Sequence, residues 1–160
     1  MLTQVGIALG SNLGDRSAQL NAGIAFLRTL SVISEVRESP RIKTTPVDCP
    51  PGSDEFLNSV AEIDVDSIAH PPRKLLELLQ EFEGSRGRAL VRDVNAPRPL
   101  DLDIIYYGDQ VVREPFLLIP HPRAHLRHFV LEPLSRLRPD LILPGQTKTV
   151  MELLRSNPSS

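Results

Sequence analysis

The sequence predicts an α+β fold with a mainly antiparallel sheet, on two observations. Strand-like and helix-like segments mix without the strict βαβ alternation that builds a parallel sheet. The strand-like segments are also partly two-faced, apolar on one side and polar on the other, which suits antiparallel strands. A chain of 160 residues with 41% hydrophobic and 24% charged residues has enough material for one globular domain, residues 1–160. No internal repeat, low-complexity segment or linker divides it.

Val5–Leu9 reads as a short apolar strand ended by the turn Gly10-Ser11-Asn12-Leu13-Gly14-Asp15. Asp15 or Ser17 is placed to cap a helix whose Leu20, Ile24, Leu27 and Leu30 recur at helical spacing. A Gly-rich strand-to-helix turn also suits an anion. It lacks the Lys-Ser/Thr of a P-loop and a full dinucleotide fingerprint, so a plain tight turn is the simpler reading. Val32–Glu38 reads as a strand, and Ser39–Asp54 as a Pro-rich polar loop. Phe56–Ile63 alternates, with Phe56, Asn58 and Val60 on one face. Pro71 and Pro72 open a helix striped by Leu75, Leu76, Leu79 and Phe82 and ending near Gly84.

The most informative stretch is Pro97-Arg98-Pro99-Leu100-Asp101-Leu102-Asp103-Ile104-Ile105-Tyr106-Tyr107-Gly108. Alternation makes it a strand with Asp101 and Asp103 on one face and Leu100, Leu102 and Ile104 on the other. Two carboxylates about 7 Å apart along a strand repel each other, and a bound cation removes that cost. Mg²⁺ is the usual choice for a sparse carboxylate site completed by water and phosphate oxygens. The bland alternative is an exposed face on which the Asp pair discourages edge pairing. Upstream, Gly84–Pro99 carries Arg86, Arg88, Arg92 and Arg98 with little apolar content. It reads as a basic loop, either a solvated charge run or a phosphate binder beside the Asp pair. Beyond the strand, Val111-Val112 is expected to pair back and Leu117–Pro120 is a brief apolar run. Val130–Leu137 reads as a helix with an early Pro133, and Met151–Leu154 as a last turn.

A net charge of −2 argues against nucleic acid or a membrane surface as the main partner, though not against a local basic pocket. The lone Cys49 forms no intrachain disulfide, which suits a reducing cytoplasm. There is no signal-peptide pattern and no stretch of spanning length. The chain has no tryptophan and fifteen prolines, and so many prolines imply long, stiffened connections between short elements, common carriers of function. A monomer is expected, with a dimer as the alternative.

These motifs together resemble the 6-hydroxymethyl-7,8-dihydropterin pyrophosphokinases of folate biosynthesis. The likeness runs from Leu9-Gly10-Ser11-Asn12-Leu13-Gly14 to Leu143-Pro144, and Pro97–Ile104 is its most specific segment. Phe56-Leu57-Asn58, Ile119-Pro120-His121 and Arg127-His128-Phe129 fall in the family's order. The resemblance implies a ferredoxin-like α/β plait. It also implies Mg²⁺-dependent transfer of the β,γ-diphosphate of ATP to the pterin hydroxymethyl group, with AMP as the other product. Asp101 and Asp103 would hold two Mg²⁺ ions, and Arg88 and Arg98 would bind the phosphates and stabilise the charge that develops on transfer. Gln80, Glu83, Ile104, His121 and Arg127 would complete the ATP site. Phe56 and Phe129 would sandwich the pterin, with its edge read by Asn58, Asp101 and the segment Thr44, Thr45, Pro46 and Val47.

The chain departs from the best-known members at four positions. Leu90 replaces a second loop arginine, Asn95 a loop tryptophan, Phe56 a tyrosine, and Phe116 an arginine near the nucleotide. The loop changes bear on how tightly ATP is enclosed and leave the metal ligands untouched. Two rival classes use similar residues: a two-metal phosphodiesterase or nuclease, and a non-catalytic pterin or nucleotide binding module. The absence of a basic stripe speaks against the first.

Overall fold

A computed structural model describes residues 1–33, 35–44, 55–87 and 99–156. In chain order it contains β1 (Leu2–Ser11), α1 (Arg16–Leu30), β2 (Arg37–Glu38), β3 (Ile42–Thr44), β4 (Phe56–Asp66) and α2 (Pro72–Ser85). There follow β5 (Asp101–Tyr107), β6 (Val112–Glu114), β7 (Leu117–Ile119), a 3-10 turn (Ala124–Leu126), α3 (His128–Leu137) and α4 (Val150–Ser156). The main sheet runs β2–β4–β1–β5, with β3 also on β4, and every pairing is antiparallel. The expected mixed α and β architecture with an antiparallel sheet is therefore present.

Strand alternation divides the sheet into two faces. Val5, Ile7 and Leu9 of β1, Ala61, Ile63 and Val65 of β4, and Leu102 and Ile104 of β5 enter one core. Leu20, Ile24, Leu27 and Leu30 of α1 and Leu75 and Leu79 of α2 cover them, as the helical spacing predicts. Phe26 and Phe82 stack with centroids 4.3 Å apart and tie the two helices together. Each such apolar side chain contributes roughly 1.5–3 kcal/mol on burial. The opposite face carries Val60, Ile105 and Tyr106 against Val130, Leu131 and Leu134 of α3 and Val150 and Leu153 of α4.

Local chemistry sets the helix starts. Asp15 Oδ1 accepts the Ala18 N–H at 3.0 Å and caps α1, and Pro72 begins α2 where its missing N–H costs nothing. In β5 the strict alternation fails after Ile104. Ile7 pairs with Ile104 and Gly6 with Tyr106, so Ile105 is an inserted residue and both Ile105 and Tyr106 face the second core.

Three expectations need correction. Among the described residues of Val32–Glu38, Arg37–Glu38 is the strand; before it the Val32 N–H donates to Asp64 O of β4 while the Val32 and Ile33 side chains are exposed. The loop expected from Ser39 contains β3, whose pairing to β4 no local pattern announces. Val112 does pair back, though with Ile119 in a separate two-stranded sheet.

Candidate active site

Of the residues singled out by sequence, Asp101, Asp103, Phe56 and Asn58 lie on the sheet face that carries α3, whereas Gln80 and Glu83 belong to α2 on the other side. Asp101 of β5 lies opposite Gly10 of β1, and Gly10 lies opposite Asn58 of β4, so the three share one row. The next row is Asp103, Ala8 and Val60. Both aspartates therefore lie on the face away from Leu102 and Ile104, as alternation requires. Asp101 is 9% exposed, whereas Asp103 is exposed and lines a cleft.

Gly10 sets the shape of the row. A Cβ there would lie 2.9 Å from Asn58 Oδ1, so glycine lets the amide close over the central strand, while the Phe56 ring at 3.8 Å would meet such a Cβ in ordinary contact. Asn58 is 7% exposed, and its Nδ2 donates to Thr44 Oγ1 at 2.6 Å. That bond orients the amide, and Oδ1 turns over Gly10. Phe56 and Phe129 are both half-buried, and Phe129 also packs against the second core. The Arg127 guanidinium lies 5.4 Å from the Phe129 ring centroid, so the aromatic face already attracts a cation.

Beyond Asp103 the open edge of β5 forms a cleft with the β6–β7 hairpin, floored by Ile104 and walled by Leu76, Leu117 and His121. A second hollow of about 280 Å³ adjoins it along α2 and includes Gln80, Leu76 and Phe116. Burial pushes the His121 imidazole down from its ordinary 6.5 to about 4, and the charges of Arg127 and Arg123 add to the effect. Its Nδ1 accepts the Arg123 N–H at 3.2 Å, so the neutral ring carries its proton on Nε2. The His121 N–H donates to Ile105 O at 2.9 Å and moors this segment to β5. Glu83 is buried beneath β5, where Oε2 accepts the Leu102 N–H at 2.7 Å. Leu102 separates the two aspartates, so Glu83 fixes the edge strand that presents them.

Thr45, Pro46, Val47, Arg88 and Arg98 lie outside the described residues, as do Leu90, Arg92 and Asn95. Among the described residues no group of three or more His, Cys, Asp or Glu side chains converges on one point. A site of two carboxylates, with Asp103 opening onto a cleft, offers hard oxygen donors and access for water or phosphate oxygens. It fits Mg²⁺, which keeps several water or phosphate oxygens in its shell, and would not fit a metal that demands a full protein cage.

Comparison with known proteins decides the family. The sequence profile of the 7,8-dihydro-6-hydroxymethylpterin-pyrophosphokinase (HPPK) family matches residues 6–139. The chain belongs to the HPPK family. It is 37% identical over 149 residues to the 2-amino-4-hydroxy-6-hydroxymethyldihydropteridine pyrophosphokinase of Haemophilus influenzae, covering 93% of this chain and 89% of that one. Against the same-named protein of Pseudomonas aeruginosa it is 38% identical over 159 residues, covering 99% of this chain and 94% of that one. In fold it is similar to the wild-type HPPK-DHPS of Plasmodium falciparum, solved with pterin and p-hydroxybenzoate, at a TM-score of 0.71 and 13% identity. That likeness covers 98% of this chain and 42% of the longer one.

Within this HPPK architecture, sequence reasoning overlooked Gly10, Leu76 and Leu117. The sequence places Gly10 at the start of the turn after Val5–Leu9, whereas β1 continues to Ser11 and pairs Gly10 with both neighbouring strands. A glycine inside a strand signals close approach only once that strand's extent is known. Leu76 and Leu117 carry no such signal, since a leucine stripe reads the same whether it meets a core or a cleft.

Proposed function

We propose that the chain transfers the β,γ-diphosphate of ATP to 6-hydroxymethyl-7,8-dihydropterin, releasing AMP, as a Mg²⁺-dependent step of folate biosynthesis. The observation that carries this is the Asp101–Gly10–Asn58 row beside an edge cleft, in a chain of the HPPK family. We also infer a ferredoxin-like plait over one domain, residues 1–160. The order β1, α1, β2/β3, β4, α2, β5 and the sheet order β2–β4–β1–β5 support that topology.

In this reading Phe56 and Phe129 enclose the pterin ring and the Asn58 amide reads its edge, with Thr44 holding that amide in place. Thr45, Pro46 and Val47 extend this edge. Asp101 sits between the two ligands and orients the acceptor hydroxyl, and Asp103 faces the ATP phosphates in the cleft. The two Mg²⁺ ions assigned to Asp101 and Asp103 supply neutralisation of the triphosphate and of the attacking oxygen. The neutral His121 donates Nε2–H to a phosphate oxygen without adding charge. Arg88, Arg98 and Arg127 provide the charge that stabilises the departing AMP and the transferred group. Gln80 and Ile104 line the nucleotide side, while Glu83 acts through β5. Half-burial of the pterin row excludes water from the acceptor and favours transfer over hydrolysis.

No helix among the described residues is long and apolar enough to cross a membrane. A cytoplasmic monomer using small-molecule substrates, with neither nucleic acid nor membrane as partner, is the setting we propose. Incubation with ATP, Mg²⁺ and the hydroxymethyl dihydropterin tests the activity. AMP is expected only when the pterin is present. Release of ADP, or cleavage of DNA or RNA with no pterin dependence, would overturn the reading in favour of a different phosphoryl chemistry.

A further inference from the structure

Phe116 is 85% exposed. It lies in the turn between β6 and β7, where its ring walls both the Asp103 cleft and the adjoining hollow along α2. The turn is held firmly. Leu117 is buried in the first core, and Arg73 of α2 pairs with Glu114 of β6 across the groove. A large ring is thus kept in solvent on a braced support, where neither core packing nor the hairpin uses its face. The cleft mixes polar and apolar lining: Asp103 and His121 share it with Leu76, Ile104, Leu117 and Phe116. The adjoining hollow adds Gln80 and the charged Arg73, Glu77 and Glu114 beside the ring. A ligand that fits such a lining combines charged groups with a flat apolar part.

We propose that Phe116 is the base-stacking residue of the nucleotide cleft and that its ring, lying against the purine face of ATP, contributes base selection by area and π-overlap. This rests on the reading above that the cleft takes ATP. The ring has no hydrogen-bonding atom, so at this wall recognition is by shape, favouring a purine over the smaller pyrimidine. The hairpin sets the position of the Phe116 backbone before ligand arrives, and ordering of the exposed ring itself is a cost that stacking must exceed.

Calorimetry in Mg²⁺ with two probes, α,β-methylene ATP and inorganic tripolyphosphate, tests the assignment on wild type, Phe116→Ala and Phe116→Tyr. Phe116→Ala is expected to bind the ATP analogue about tenfold more weakly, tripolyphosphate unchanged, and to keep its melting temperature. Phe116→Tyr should stay within about twofold of wild type for both. α,β-Methylene CTP should bind wild type more weakly than the ATP analogue, and that preference should shrink in Phe116→Ala. Equal affinity of wild type and Phe116→Ala for the ATP analogue overturns the stacking role. Equal losses for both probes overturn it too, since they would mean a displaced hairpin. Loss of a wild-type dimer in Phe116→Ala, with nucleotide affinity unchanged, would assign the ring to self-association instead. If wild type binds neither probe, the pyrophosphokinase reading itself fails and this assignment falls with it.

Discussion

The face of the sheet beneath α3 carries carboxylates at both ends, and the two ends treat them in opposite ways. At one end Glu62 is 2% exposed and fully engaged. It accepts from Arg37 Nη2 at 2.8 Å, from the Tyr106 hydroxyl and from Arg138, and Arg37 also reaches Asp64 at 3.2 Å. Burial alone would raise the Glu62 carboxyl, but hydrogen bonds from Tyr106 and Arg37 and the charge of Arg138 outweigh it and hold it below the usual range. The Tyr106 ring crosses the strand over Gly6, where a Cβ would meet it at 2.2 Å. At the other end Gly10 plays the same spatial part for Asn58, yet Asp103 opens into a cleft. The closed end spends its charge on joining the C-terminal end of α3 to the sheet. At the open end Asp101 is buried and Asp103 is exposed on the wall of the cleft.

The sharpest break in this comparison should come from Asp103→Ala. Its pterin-dependent AMP formation is expected to fall by about 10³-fold or more, in the range for removing preorganised charge stabilisation, with the melting temperature unchanged. A variant that melts early instead would make the open end structural like the closed one. Asp101→Ala should lose turnover to a similar extent.

Glu62→Gln should do the reverse. Leaving Arg138 without its anion and Arg37 with Asp64 alone is expected to destabilise the fold by about 3 kcal/mol, at the low end for a buried pair because both arginines are about a third exposed. Turnover per folded molecule should be retained. The Glu62 contribution is present above its ordinary 4.5 and is lost as pH falls through the lower folded value, so urea midpoints of the two proteins should converge in acid. Parallel midpoints at every pH would show that the carboxylate charge is not the source.

Gly10→Ala probes the shared device at smaller scale. The added methyl must displace the Asn58 amide, which should weaken pterin binding about tenfold, equivalent to one lost hydrogen bond of about 1.4 kcal/mol. ATP-analogue affinity measured on the same sample should be spared.

The smallest effect concerns His121. The folded state holds it neutral to about 4, whereas the unfolded chain protonates near 6.5. Its contribution is therefore complete above 6.5 and declines as pH drops toward about 4. NMR titration of the ring should show a low midpoint, rising when a phosphate ligand binds. A midpoint near 6.5 in the free protein would make His121 an ordinary surface imidazole.

Much of the fold was legible because it rests on periodicity. Leu20, Ile24, Leu27 and Leu30 had to share a helix face, and Leu102 and Ile104 a strand face, whatever packed on them. The site was legible in part for the same reason, since period two alone puts Asp101 and Asp103 together. Short strands such as β3 were hidden, because three residues have no period and form a strand only where β4 offers an edge. The bulge at Ile105 was likewise invisible, as the alternating pattern of β5 contains no mark of its register with β1.

By itself the sequence determined the element types, the antiparallel α+β class, the Asp pair and the family motifs, because all of these are local patterns of spacing. Tertiary structure decided the rest. It laid Gly10 between Asp101 and Asn58, which are 43 residues apart by their numbering, and gave the Asn58 amide Thr44 as its partner. It also put Glu83 beneath Leu102 as a brace and left Phe116 in solvent while Phe82 was packed. A side chain's role in each case depends on which strand or helix lies across from it, and strand order and register are properties of the whole sheet rather than of any one segment.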